Sequence, residues 1–340
     1  MSFFYQHCVN TLGWTLDPAL LKSMQENNAT ELAGIEKKME EAKENEGETE
    51  MMEQHIAKAE FLFRIGHKDE AVDVIKLALN EKHVSTGQKI DLELKCVRVA
   101  LFHGDTELLK EHIELCRTLI EDGGDWDRRN RLKIYDGAYR MLVRDFKTAA
   151  TNFLSSIATF TSYEVMEYTT FIQRTVYLGL FDLPRSDLKE KIIDSPDVRQ
   201  VVREVEDVKN FVESLYNCNY ELFNTELLTA YRTICRDRFM SKHVNYYVKE
   251  MRVRAYNQFL EAYKSVTIIS MANAFGVSVE FIDGELFRFI SMGRLNAKID
   301  KTLGVIETNR PDAKNAQYHD VIKHGDALLN QIQRLARVVN

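Results

Sequence analysis

From residue 57 onward the chain repeats itself at a period that a helix pair sets. Two apolar-periodic runs joined by a short turn recur, and each turn carries an Asp or Asn: Asp69, Asp105, Asp145, Asp182 and Asn219. The successive spacings of 36, 40, 37 and 37 residues lie between those of tetratricopeptide-like and HEAT-like helix pairs. An acidic or amide side chain at the turn can cap the second helix of each pair. Helical spacing runs through Ile90, Leu94, Val97 and Leu101 before one turn and Leu109, Ile113, Cys116 and Ile120 after it. It returns in Leu132, Tyr135, Tyr139 and Leu142, in Phe146, Ala149, Phe153 and Ile157, and in Val205, Val208, Val212 and Leu215. A single helix pair cannot bury its own apolar face, so pairs in series must stack into a solenoid, an architecture that usually holds partners.

Composition agrees. With 15 glycines and 4 prolines in 340 residues, turn signals are too sparse for a sandwich, a barrel or a doubly wound sheet. The net charge of −7 disfavours polyphosphate partners unless the cations gather in one patch. The longest uncharged stretch, residues 148–163, is rich in Ser and Thr and too short to span a bilayer. The start, MSFFYQHCVN, carries no secretory signature, which predicts an intracellular protein. Five cysteines without a CxxC pair, Cys8, Cys96, Cys116, Cys218 and Cys235, are expected to be reduced packing residues. Residues 31–53 hold nine Glu and three Lys and read as a solvated helix.

Residues 245–312 change character. Helices through Val248, Met251, Ala255 and Phe259 and through Ile268, Met271, Ala272 and Phe275 precede a stop at Gly276. A third follows, capped by Ser278, with Val279, Ile282, Leu286 and Phe289 facing the core and Gly293 at its end. Leu295, Ala297 and Ile299 then alternate with polar residues, and a turn leads back through Val305 and Ile306. Helix, helix, helix, hairpin is the winged-helix plan. The open edge of a two-stranded wing can pair with a neighbour's wing, so these five residues are the first candidate contact. The last segment spaces Tyr318, Val321, Gly325, Leu328, Ile332, Leu335 and Val339 by 3 and 4, a heptad seam that predicts a coiled-coil or bundle partner.

Motifs for chemistry are missing. There is no Walker loop, GxGxxG or HExxH, and His319 with His324 is a poor ligand spacing. His103 and His112 read as packing residues, and no catalytic, cofactor or metal site is expected. The third winged-helix segment holds Glu280, Asp283 and Glu285 against Arg288 and would repel phosphate. Between Asp127 and Lys147, however, seven cations face three acids, among them Arg128, Arg129 and Arg131. Ordinary surface charge accounts for this patch; a groove for an acidic protein segment, or for RNA, is the functional alternative.

Helical repeats running into a winged helix and a terminal helix resemble a PCI domain protein. The strings GGDWDRRNRLK (residues 123–133), TFTSYEVMEY (159–168), YYVKEMRVRAY (246–256) and VEFIDGELFRFISMGRLNAKIDKTLGVIETNRPD (279–312) resemble the 26S proteasome regulatory subunit 6 family, a non-ATPase lid component. Residues 186–210 match weakly, and the N-terminus is shorter than is usual in that family. The resemblance implies a mostly α fold: an N-terminal helical segment (1–56), a solenoid (57–240), a winged helix (241–312) and a bundle helix (313–340). It implies a non-catalytic scaffold in cytoplasm and nucleus, supporting ATP-dependent degradation of ubiquitinated proteins. Expected partners are other PCI lid subunits, a small acidic disordered lid protein and the ATPase base. The arc contact would fall around residues 295–307, the bundle contact on Leu328, Ile332 and Leu335, and the acidic segment on Arg128, Arg129 and Arg131. A sister PCI complex, the signalosome or a translation-initiation scaffold, is the nearest competitor. A nucleic-acid binder using residues 128–147 as its cationic face is more distant.

Overall fold

A computed structural model of the chain describes residues 2–44, 48–79, 84–308 and 313–339. They fold into helices α1 Ser2–Leu12, α2 Pro18–Glu44, α3 Glu48–Ile65, α4 Lys68–Leu79, α5 Thr86–His103, α6 Thr106–Glu121, α7 Trp126–Leu142, α8 Phe146–Leu154 and α9 Tyr168–Asp182. There follow α10 Arg185–Leu188, α11 Pro196–Glu204, α12 Glu206–Tyr216, α13 Tyr220–Arg236, α14 Val244–Glu261, α15 Ile268–Phe275, α16 Val279–Ser291 and α17 Ala313–Val339. Three short strands, β1 Ser265–Thr267, β2 Ala297–Asp300 and β3 Val305–Thr308, complete the order. The chain packs as two compact units, Met1–Val201 and Val202–Asn340. The acidic segment 31–53 is not one helix: it is divided between α2 and α3, and residues 45–47 lie outside the described residues.

In the first unit α3 pairs with α4, α5 with α6 and α7 with α8, and each hairpin packs on the next. Turns in each unit, two in the first and one in the second, share one local design. Gly104 (φ 71°), Arg144 (φ 65°) and Cys218 (φ 61°) take the left-handed conformation that ends a helix. The next residue closes that helix through its own N–H, Asp105 to Ala100 O at 3.1 Å, Asp145 to Arg140 O at 2.8 Å and Asn219 to Ser214 O at 2.9 Å. Its side chain then caps the following helix, accepting from the N–H of Leu108, Thr148 and Leu222. One residue thus satisfies orphan groups of two helices, which is why a carboxylate or amide marks the repeat.

Two of the five marked turns depart from this. Asp69 lies inside the first turn of α4, where its charge suits the helix dipole, because Gly66 (φ 94°) ends α3 earlier. Asp182 is the last residue of α9, not a cap. Pro184 holds Leu183 extended and stops the helix there.

Ion pairs stitch successive hairpins at about the repeat distance. Lys95 reaches Glu60 at 2.6 Å, Lys68 reaches Asp105 at 2.8 Å, Arg128 reaches Asp91 at 2.7 Å and Arg131 reaches Glu164 at 2.9 Å. Between these rims the core is apolar: Ile90, Val97, Leu109, Cys116, Phe146 and Phe153 are all buried. Tyr139 and Leu142, expected in that core, are only half-buried, and Ile134, Ala138 and Met141 of α7 face inward instead.

In the second unit α13 packs against α14 and α15, with Tyr220 stacked on Phe275 at 4.8 Å. Thr267 caps α15, Gly276 ends it at φ 62°, and Ser278 caps α16 through the Phe281 N–H. Met271, Ile282, Leu286 and Phe289 are buried as their spacing predicts. Val279 is exposed instead, because it is the first residue of α16 and precedes the turn that meets the core. Glu285 of α16 accepts from Arg252 at 3.0 Å and from Tyr256 at 2.9 Å, fixing α16 to α14.

Candidate functional site

The wing is a three-stranded antiparallel sheet in the order β1-β3-β2. A two-stranded hairpin was expected. Val266 of β1 and Ile299 of β2 both face Ile306 of β3, so β3 is the central strand and its ladder is satisfied on both sides. Leu295, Ala297 and Ile306 are buried in the unit's own core. Their apolar alternation records this packing, so their side chains, with those of the half-buried Ile299 and Val305, do not form an open contact face. In this order β1 and β2 are the edge strands, each pairing only with β3 among the described residues, and a turn over residues 301–304 follows β2. In that turn Asp300 accepts from the N–H of Thr302 and Leu303, and Leu303 stands at the tip, 73% exposed. On α16, Phe281 and Phe287 are exposed, as their position off the core face implies.

The last helix is different. Every described side chain from Gln317 to Ala336 is exposed. Tyr318, Val321, Leu328, Ile332 and Leu335 form the expected stripe, joined by Ile322 and Leu329, and each is 57–68% exposed. The side chain of Val339 lies outside the described residues. A helix of this kind leaves open an apolar stripe that a stable helix in water ordinarily buries.

The cationic segment is largely occupied from within. Arg128 holds Asp91 through two hydrogen bonds, 3.2 Å from Nε and 2.7 Å from Nη2, and Arg131 holds Glu164 and lies 3.6 Å from Asp91. The Asp91 hydrogen bond raises the Arg128 pKa. Burial pushes Glu164 up, but hydrogen bonds from its own backbone, Arg131 and Tyr135 outweigh it and leave the carboxyl below its usual range. Arg140 is tied to Asp136 and Asp145. Arg128 and Arg131 are therefore repeat-to-repeat links and not free cations. Arg129 is exposed and makes no ion pair among the described residues; it lines a groove of about 370 Å³ with Lys133, Glu121, Asp136 and Arg117, the last already paired with Glu114 and Asp136.

One polar cluster escaped sequence reasoning. In the α5–α6 hairpin, Glu93, Cys96 and His112 are all buried, and one ligand-type atom of each lies within 4.8 Å of the others. His112 Nδ1 is 2.5 Å from Glu93 Oε2. Nε2 of the same ring is buried with no hydrogen-bond partner among the described residues. Burial pushes the thiols of Cys96 and Cys116 well above the usual range. The available signal was the pairing of Glu93 and Cys96 at i, i+3 with His112 and Cys116 at i, i+4 on the two helices of one hairpin.

No helix among the described residues is long and apolar enough to cross a membrane. Among the described residues, the surfaces the fold leaves open include the stripe of α17, a strand edge and a groove that mixes Arg129 and Lys133 with Glu121 and Asp136. Comparison with known proteins gives the family. Residues 17–191 match the family model "26S proteasome subunit RPN7", residues 228–310 the PCI domain, and residues 317–339 the "26S proteasome regulatory subunit RPN7/PSMD6 C-terminal helix". The 26S proteasome non-ATPase regulatory subunit 6 homolog of Arabidopsis thaliana is 45% identical over 340 residues, covering 100% of this chain and 88% of the relative. Its counterpart in Dictyostelium discoideum is 44% identical, covering 99% of this chain and 88% of the relative. COP9 signalosome complex subunit 1 of Arabidopsis thaliana is a more distant relative, 26% identical over 58% of this chain and 45% of its own length. From residue 17 to the end of α17, then, the stacked hairpins, the wing and the bare terminal helix belong together, and the chain is a member of the RPN7/PSMD6 family of 26S proteasome regulatory subunits.

Proposed function

We propose that this chain is a non-catalytic scaffold of the regulatory-particle lid, acting in cytoplasm and nucleus. It joins other PCI subunits through its wing and terminal helix and supports ATP-dependent degradation of ubiquitinated proteins. The observation that carries this reading is the exposed stripe of α17. Seven large apolar side chains on one helix suit burial in a bundle of similar helices, and Leu328, Ile332 and Leu335 are its seam. The outer edge of β2 supports a second contact, strand to strand, with a neighbouring wing. This replaces the side-chain surface of Leu295, Ala297, Ile299, Val305 and Ile306 by a backbone one.

A small acidic lid partner is assigned to Arg129 with Lys133, rather than to Arg128 and Arg131, whose charges, like that of Arg117 beside Glu114 and Asp136, are already met. The ATPase base is reached through the assembled lid. Isolation of the tagged chain from cell extract, with identification of what co-purifies, is the test. Lid subunits and ATPases are expected. Recovery of signalosome or initiation-factor subunits in their place would overturn the assignment.

A further inference from the structure

Two of the three acids of α16 are met within the unit, Asp283 by Lys301 at 3.2 Å and Glu285 by Arg252 and Tyr256 at 3.0 and 2.9 Å. The outer face of the helix is left with Glu280, Phe281, Gly284, Phe287 and Arg288. Glu280 and Arg288 are exposed and make no ion pair among the described residues, and Phe281 and Phe287 are 40% and 62% exposed. The pattern is symmetric in position about Gly284. A phenylalanine stands three residues to either side, and a charge four residues to either side, acidic before and basic after.

The helix itself asks for only part of this. An acid in the first turn and a base in the last suit its dipole. A glycine in the middle does not, because glycine is a poor helix former. A Cβ built at position 284 would meet nothing within 4 Å, so no neighbour in the unit requires the missing side chain. Bare backbone between two exposed aromatic rings is instead what lets a second helix approach closely from outside.

Charge selects which helix that is. Side chains at i±4 form the ridges by which helices most often pack, and Glu280, Gly284 and Arg288 make one such row, with each charge about 6 Å along the axis from the glycine. Laid antiparallel against the same row of a second copy, the glycines meet at the crossing and each Glu280 faces the partner's Arg288. Two ion pairs then form in a single self-complementary contact. Phe281 and Phe287 flank the row on opposite sides and cover the crossing, and Arg252, 5.3 Å from the Phe281 ring, holds that ring in place.

We propose that the outer face of α16 is a self-association surface, on which two copies of this chain pair about a two-fold axis that passes between their Gly284 residues. The contact uses neither the stripe of α17 nor an edge of the wing, and it does not depend on the scaffold reading.

Sedimentation equilibrium of the full chain is the test, with Leu328→Asp, Ile332→Asp and Leu335→Asp in the background to remove association through α17. One helix crossing is a small interface, so a reversible dimer with a dissociation constant of about 10 μM is expected. Glu280→Arg or Arg288→Glu alone sets like charges together in both pairs and is expected to weaken the dimer about tenfold. The two together exchange the signs and are expected to restore the parent affinity, which a role confined to one helix would not produce. Gly284→Arg places a bulky charged side chain at the crossing and is expected to abolish the dimer, while the melting temperature stays the same or rises because arginine is the better helix former. A chain that is monomeric at about 100 μM, ten times the expected constant, would overturn the surface. So would single reversals without effect, a folded double variant that does not recover, or a dimer that survives Gly284→Arg. If a charge variant fails to fold, Gly284→Arg decides alone.

Discussion

Lys68 donates a 2.8 Å hydrogen bond to Asp105, 37 residues further on, and the other oxygen of that carboxylate caps α6 through the Leu108 N–H. The residue therefore closes one helix through its own N–H, while its side chain begins the next helix and links two hairpins. The two side-chain roles can be separated by substitution.

Asp105→Ala removes the cap and the ion pair together and is expected to cost about 1–2 kcal/mol. Lys68→Ala removes only a partly exposed pair and should cost less than about 1 kcal/mol. Asp105→Asn, which keeps a capping oxygen, should fall with Lys68→Ala. Urea unfolding followed by a probe in the first unit measures all three. Equal losses for Asp105→Ala and Asp105→Asn would contradict the capping role.

Acid should loosen the repeats before neutral or mildly alkaline conditions do. The Lys68 hydrogen bond and the Leu108 N–H hold the Asp105 carboxyl below the usual range, and Glu164 is held low by hydrogen bonds from its own backbone, Arg131 and Tyr135 against the upward push of burial. In the range where unfolded carboxyls have already taken up protons and these have not, the unfolded state binds more, so stability rises with pH. Their contribution is complete above the ordinary carboxylate range and fades as the pH falls below about 4. Lys68 has the opposite sign. Its hydrogen bond to Asp105 raises its pKa, so its contribution is present below about pH 10 and is lost as the pH rises through the folded value. Melting temperature against pH checks this, and Lys68→Ala should flatten both limbs.

The same turn position gives opposite signs in two places. Gly104 occupies the left-handed region at φ 71° and Cys218 at φ 61°. A side chain there costs about 1 kcal/mol. Gly104→Ala is therefore expected to destabilise its unit by about 1 kcal/mol, and Cys218→Gly to stabilise its own by a similar amount, less whatever the contact between Sγ and Gln258 contributes. Denaturant midpoints of the single variants measure both effects.

Folding and assembly should separate at the carboxyl end. Replacing Leu328, Ile332 and Leu335 together by Asp is expected to leave the melting of the isolated chain nearly unchanged, because those side chains are already in water, and to abolish co-purification with lid subunits. Ile306→Ala should do the reverse, costing about 2–5 kcal/mol at a fully buried position in the central strand. Leu303→Asp at the exposed wing tip should spare folding.

Much of this was legible because it is local. Apolar spacing fixed the faces of α5, α6, α8, α15 and α16, and turn chemistry marked Asp105, Asp145 and Asn219. The failures are non-local. β1 is three residues long with only Val266 buried, and its strand character exists through pairing with β3, where Ser265 meets Glu307. No period can be read from three residues. Missing β1 made Ile306 read as an edge residue when it is central. Arg128 and Arg131 read as a surface patch because the carboxylates that neutralise them are distant in sequence, Asp91 in the preceding hairpin and Glu164 in the turn before α9. Glu93 and His112 likewise meet only when α5 folds back on α6.

The bareness of α17 carries a cost for the cell. At 1.5 Å per residue its 27 residues make a rod about 40 Å long, and it keeps an oily flank wet for as long as no neighbour covers it. Under the proposed scaffold role, a copy made in excess of its neighbours goes on displaying the kind of surface by which misfolded chains are detected. Supply of this chain would then have to keep pace with that of the helices α17 is proposed to join.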